Sequence, residues 1–280
     1  MNKVRNIKQV VNGMKASDGD GVQLTRIIGS PYLNMLDPFL LLDAFGSDQP
    51  QDYIGGFPSH PHRGFETVTY MLAGKMRHKD SAGNEGVIGA GGVQWMTAGK
   101  GIIHSEMPEQ DNGLLAGFQL WVNLPASKKM TEPKYQEKTA EEIPQELRGE
   151  EIQIKVIAGN TANGTKGIIN NPEIAPIYWD INLSENSLFV DDIPEGHNGF
   201  VYVIEGDVSI GDSPNKLFTG QLAVLDDGNK INISANNDSR FLLIAGKPIG
   251  EPVERAGPFV MNSKQEIQQA FADYQSGGLV

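Results

Sequence analysis

The sequence predicts an all-β protein made of two copies of one antiparallel barrel, with a short helix near the C-terminus. Three observations lead there. The 280 residues include 33 glycines and 16 prolines, a density of turn formers that suits many short strands. Runs with a period of two recur, as where Phe118, Leu120 and Val122 alternate with Gln119, Trp121 and Asn123. A strand-and-turn unit also repeats. Phe65-Glu66-Thr67-Val68-Thr69-Tyr70-Met71-Leu72-Ala73-Gly74 in the first half is echoed by Gly199-Phe200-Val201-Tyr202-Val203-Ile204-Glu205-Gly206 in the second.

Taken in order, the first block of strands is expected at Val22–Ile28, 39–45, 66–72, Val93–Thr97 and 117–124. Gly83, Gly86, Gly89, Gly91 and Gly92 read as turns, not as a phosphate cradle, because no helix signal follows them and the dinucleotide-binding spacing is absent. Residues 125–151 are rich in Lys, Glu and Pro and read as a solvated linker. A second block of strands is expected at 152–157, Ile177–Leu183, 200–204, 208–210, 222–225, 231–234 and 241–245. Helical spacing appears only at the end. Ser263 has the place of an N-cap, Glu266 follows three residues later, and Ile267, Ala270, Phe271 and Tyr274 then share one face. The expected organisation is an N-terminal domain 1–132, a linker 133–151, and a C-terminal domain 152–280 whose tail helix packs across the sheets.

Composition removes several functions. A formal charge of −12 opposes direct binding to a nucleic-acid backbone, which needs clustered Lys and Arg. The absence of cysteine excludes disulfides, thiolate ligands and thiol catalysis. The N-terminal residues lack the apolar run of a secretory signal, and no stretch approaches the roughly twenty apolar residues of a membrane span. A soluble, cytoplasmic protein is expected.

The chemistry concentrates in two short pairs, His60-Pro61-His62 and His104-Ser105-Glu106. In an extended strand, residues at i and i+2 project from the same face of a sheet. If both strands line one barrel, three imidazoles and a carboxylate converge, and that is a first coordination shell for a divalent metal. Only five histidines occur in the chain, and three fall in these pairs. The second half has only His197 and no paired ligands, so a metal site is expected in the first half alone. Spacing leaves Glu66, four residues after His62, as open a choice of carboxylate ligand as Glu106. Nitrogen and oxygen donors without sulfur suit Fe(II), Mn, Co, Ni, Cu or Zn.

The segment His60-Pro61-His62-Arg63-Gly64-Phe65-Glu66 is close to the first motif of the cupins. The segment from Gln94-Trp95-Met96-Thr97-Ala98-Gly99-Lys100-Gly101 to Ile102-Ile103-His104-Ser105-Glu106-Met107-Pro108 is more specific. Together with Phe118-Gln119-Leu120-Trp121-Val122-Asn123-Leu124 and Gly257-Pro258-Phe259-Val260-Met261-Asn262, it resembles the pirin family along essentially the whole chain. That resemblance implies a bicupin: two cupin-type antiparallel β-barrel (jelly-roll) domains, with one metal, most readily Fe(II), in the first. It implies the ligands His60, His62, His104 and Glu106, with Glu66 in support of an imidazole.

The resemblance also implies an activity. O₂ would open the central ring of a flavonol such as quercetin and release carbon monoxide, a quercetin 2,3-dioxygenase reaction with Glu106 as general base. Phe57, Phe65, Met96 and Trp121 are the residues expected to line a pocket for a small planar phenol. The other class of function is a non-enzymatic, iron-containing regulatory protein that acts through protein partners in transcriptional or metabolic control. Of the remaining residues, His78 reads as a surface histidine in a charged turn and His197 as a loop residue. Trp95 and Trp179 read as core, and Arg63 as a surface salt-bridge residue.

Overall fold

In the computed structural model, which describes residues 3–213 and 216–280, the expected strands form close to their expected bounds and pair antiparallel. The chain divides into two compact units.

The first unit comprises Met14–Ser30, Phe39–Ala140 and Ile249–Val280. Its larger sheet has the order Lys134–Lys138, Val93–Thr97, Phe65–Ala73, Leu115–Asn123, Phe39–Ser47, Val22–Ile28, Met14–Asp18. Its smaller sheet has the order Phe57–His62, Ile102–Pro108, Met76–Asp80, Glu85–Ile88. Leu24, Phe45, Tyr53, Met71, Met76, Ile88 and Leu115 form one apolar cluster of this unit.

The second unit repeats the pattern with a seven-stranded and a four-stranded sheet. The two strands of the internal repeat, Phe65–Ala73 and Asn198–Glu205, are each third in their seven-stranded sheet. The second unit buries Trp179, Val203, Phe189, Ile231, Ile233 and Phe241 in one continuous cluster. Its smaller sheet contains no histidine and contributes Phe189, Val208, Ile210, Leu217, Ile231 and Ile233 to that cluster.

Three readings need correction. The polar segment 133–151 is not an open linker: Lys134–Lys138 pairs with Val93–Thr97, and Gln145–Arg148 pairs with Ile152–Ala158. Both lie at sheet edges, where one face meets solvent and polar residues are admitted, so the apolar signal is weak. The N-terminal strand Ile7–Asn12 pairs with Gln221–Leu225 of the second unit. The tail, expected with the C-terminal domain, belongs instead to the first unit, where Phe259, Met261, Ile267, Ala270 and Leu279 bury together with Ile103 against them.

The tail is tied down by several devices. Ser263 caps the helix Lys264–Ser276 as expected, accepting from the Glu266 N–H, while the Glu266 carboxylate accepts from the Asn262 N–H. The Val260 N–H donates to the Arg63 carbonyl at 3.0 Å. Gly64, at φ +88°, allows that approach, since a Cβ there would stand 2.0 Å from the Val260 oxygen. The buried Lys129 ammonium then donates to the carbonyls of Gly64 and Val260 and to Asn123 Oδ1, at 2.8, 3.1 and 2.7 Å.

Candidate metal centre

Two neighbouring strands bring the histidines together. In the pairing of Phe57–His62 with Ile102–Pro108, His104 is directly opposite His60, and Ile102 is opposite His62. The register shifts between His104 and Glu106, so that Glu106 faces Phe57. Ring nitrogens of His60, His62 and His104 all lie within 4.8 Å of one another, the arrangement of a three-histidine metal site.

The hydrogen bonds of these rings say what they are ready to bind. A carbonyl oxygen only accepts, so His60 Nδ1, 2.8 Å from the Pro58 oxygen, must carry its proton. His62 Nδ1, 3.3 Å from the Pro258 oxygen, is held in the same tautomer. Each Nε2 then presents a lone pair, and the two nitrogens lie only 3.0 Å apart. Facing lone pairs call for an acid between them. A proton is a poor candidate, because burial, with His60 as a second cause, pushes His62 down to about 3. His104 is also pushed well down by burial, and neither of its buried ring nitrogens has a hydrogen-bond partner. Neutral imidazoles with unused lone pairs fit a first-row metal ion.

Glu106 is buried beside this cluster but is not part of the three-nitrogen group. The Thr69 hydroxyl donates to one of its oxygens, and Gln119 Nε2 donates to the other at 2.7 Å. Each carboxylate oxygen keeps a further lone pair, so both contacts leave room for a cation or a proton. Glu66 is elsewhere. Alternation along Phe65–Ala73 sends Phe65, Thr67 and Thr69 to one face and Glu66 and Val68 to the other. The Glu66 carboxylate accepts from Trp95 Nε1 at 3.0 Å and from Thr97 Oγ1 at 2.7 Å.

A cavity of about 600 Å³ opens on the cluster, lined among others by His60, His62, Glu106, Gln119, Trp121 and Arg255. Of the expected lining residues, Phe57 and Trp121 are on its wall, with the Trp121 ring 5.2 Å from that of His62. Phe65 stands behind them, 4.9 Å from His62 and 4.3 Å from Trp121 between ring centres. Met96 packs instead with Ala98, Ile102 and Tyr135. A second cavity, of about 730 Å³ between Gly159 and Lys230 of the other unit, contains none of the histidines.

The Pirin profile matches residues 21–122, and the profile of the Pirin C-terminal cupin domain matches residues 178–280. A pirin-like protein of Caulobacter vibrioides is 51% identical over 274 residues, 98% of this chain and 99% of that one. The chain belongs to the pirin family. A Pseudomonas aeruginosa relative that carries the provisional name quercetin 2,3-dioxygenase is 46% identical over 100% of this chain and 99% of its own length. The crystal structure of a quercetin 2,3-dioxygenase from Acinetobacter baumannii superposes with a TM-score of 0.91, at 37% identity over 99% of both chains.

Several residues around this pirin site went unread in the sequence. His78 is 2% exposed and not on the surface. Its ring stacks on Tyr135 at 4.5 Å, stands 5.3 Å from His104, and its Nε2 is 3.0 Å from Asp80 Oδ2. The signal was available: Met76, His78 and Asp80 alternate inward while Arg77 and Lys79 point out. Arg63 is a buried salt-bridge residue rather than a surface one, paired with Asp273 at 2.6 Å. His197 is a loop residue, as expected, and Trp179 is fully buried. Thr69, Gln119, Arg255 and Pro258 carried no sequence signal, because each acts through a partner distant in the chain. Among the described residues no helix is long and apolar enough to cross a membrane.

Proposed function

We propose that this pirin binds one divalent first-row metal, most readily Fe(II), through His60, His62 and His104 with Glu106 as the carboxylate ligand. We propose further that it acts as a dioxygenase on flavonols such as quercetin. The observation that carries the reading is the histidine trio, whose ring nitrogens lie within 4.8 Å of one another, with His60 and His62 on the wall of a cavity of about 600 Å³. The provisional name of the Pseudomonas aeruginosa relative and the Acinetobacter baumannii structure support the flavonol chemistry.

When bound, such an ion would act as a Lewis acid toward a substrate hydroxyl and as an electron partner for O₂. The rest is the work of the chain. The Pro58 and Pro258 carbonyls hold two imidazoles in the tautomer that offers Nε2. Glu106, oriented by Thr69 and Gln119, takes the proton of the flavonol 3-hydroxyl, as a positioned base should. Trp121, Leu41 and Phe57 supply flat apolar wall for a planar phenol.

The test is turnover. Protein loaded anaerobically with Fe(II) should consume quercetin and O₂ together, and His62→Ala and Glu106→Ala should lose that turnover while remaining folded. No flavonol consumption with any first-row metal would leave the regulatory binding protein as the better account.

A further inference from the structure

We infer that Arg255 is the anion receptor of the metal-site cavity, and that the substrate class is a planar phenol bearing a carboxylate. The inference rests on the reading that this cavity holds the substrate, and it goes beyond the flavonol reading, since quercetin bears no carboxylate to offer Arg255.

Arg255 comes from the tail hairpin of Glu254–Ala256 and Phe259–Met261 and lines the cavity with His60 and His62. Its guanidinium carbon lies 4.5 Å from the centre of the Trp121 ring, and the Trp121 ring in turn stands 5.2 Å from that of His62. One indole therefore separates the cation from the metal ligands. A flat ligand whose hydroxyl reaches the histidines can present a second group to Arg255 across a single aromatic width.

The other cavity arginine is already engaged. Arg26 donates to both oxygens of Asp43, at 2.9 and 2.7 Å, and to Asp18 at 2.9 Å. Arg255 makes no salt bridge among the described residues, and its hydrogen bond there is a long one, 3.5 Å to the Leu40 carbonyl. A guanidinium has five N–H donors in a planar fork that matches a carboxylate with two parallel bonds. Stacking on Trp121 holds that plane before any ligand arrives, which lowers the ordering cost of binding.

Charge points the same way. The cavity wall carries three carboxylates, Asp18, Asp43 and Glu106, against two guanidinium groups. A divalent ion on the histidines leaves this wall positive by one charge, and without Arg255 it would be neutral. Arg255 thus decides whether the loaded cavity attracts an anion.

The test uses zinc-loaded protein, in which no oxygen chemistry intervenes, and two probes: catechol and 3,4-dihydroxybenzoate. Binding is read by calorimetry and by quenching of tryptophan fluorescence at pH 7. The acid should bind wild-type protein about tenfold more tightly than catechol, as a bidentate charged contact predicts. Arg255→Gln should abolish that preference and change the catechol affinity by no more than about twofold, and Arg255→Lys should keep only part of it. Equal affinities in the wild type, or an unchanged preference in Arg255→Gln, would overturn the inference. Neither result depends on turnover: dioxygenase activity without an acid preference would remove this inference alone, and an acid preference without turnover would remove only the dioxygenase reading.

Discussion

His62 Nδ1 lies 3.3 Å from the carbonyl oxygen of Pro258, 196 residues further along the chain. The tail thereby sets the tautomer of a central histidine, and its packing becomes a determinant of metal affinity. Phe259, the next residue, is fully buried and anchors the segment against Phe271 at 4.9 Å. Phe259→Ala should cost about 3–5 kcal/mol of stability in this unit. Metal affinity should fall about 10–100-fold, as happens when an outer partner of a ligand is disturbed. Chelator competition alongside thermal melting would check both, and an unchanged affinity would separate the tail from the site.

His104→Leu tests the orphaned imidazole. The wild-type ring has two buried nitrogens without hydrogen-bond partners, which costs about 1–3 kcal/mol for each such group. The variant without metal should therefore be at least as stable as wild-type protein without metal. It should show no rise in Tm on adding metal, where the wild type rises by linkage. A variant that still takes up one equivalent of metal, measured by elemental analysis, would refute the ligand assignment.

Glu106→Gln keeps an oxygen for Gln119 but removes the charge and the basic lone pair. Turnover should fall by about 10²–10⁴-fold, the usual worth of a positioned base. Melting temperature should move little. Retained flavonol turnover would exclude the proton-accepting role.

Glu66→Gln is the complementary control. Because Glu66 bonds to Trp95 and Thr97 on the other face of its strand, metal content and turnover should stay at wild-type levels. Stability should drop by about 1–3 kcal/mol through a weakened buried hydrogen-bond network. Loss of bound metal in this variant would restore Glu66 to the site.

Acid should destabilise the metal-free protein through His62. Its pKa is about 3 when folded, against the ordinary 6.5, so the unfolded chain binds the proton first as pH falls. The contribution is fully present above pH 6.5 and is lost progressively toward pH 3, with a maximum slope of about 1.4 kcal/mol per pH unit. Denaturant titrations of the apo protein at several pH values would show the decline. His62→Leu should flatten it.

The sequence by itself determined the class of the fold, the duplication and the histidine trio, because these are written in local signals. Period-two runs mark strands whichever partners they find, and a His-x-His pair shares a face in any strand. The capping box at Ser263 and Glu266 is equally local. The same period of two runs through His78, where Met76, His78 and Asp80 face inward between the charged Arg77 and Lys79.

Only the tertiary structure decided the rest. Edge strands such as Lys134–Lys138 are held by backbone hydrogen bonds to a neighbour and need no apolar pattern of their own. The different surroundings of Glu66 and Glu106 depend on strand parity and on a register shift after His104, and neither is visible in spacing. The Pro258 contact to His62 and the stacking of Arg255 on Trp121 join residues more than 130 positions apart. No local pattern can encode such a meeting. It follows from burial of the tail against the first unit, where Phe259, Met261 and Ile267 leave water together.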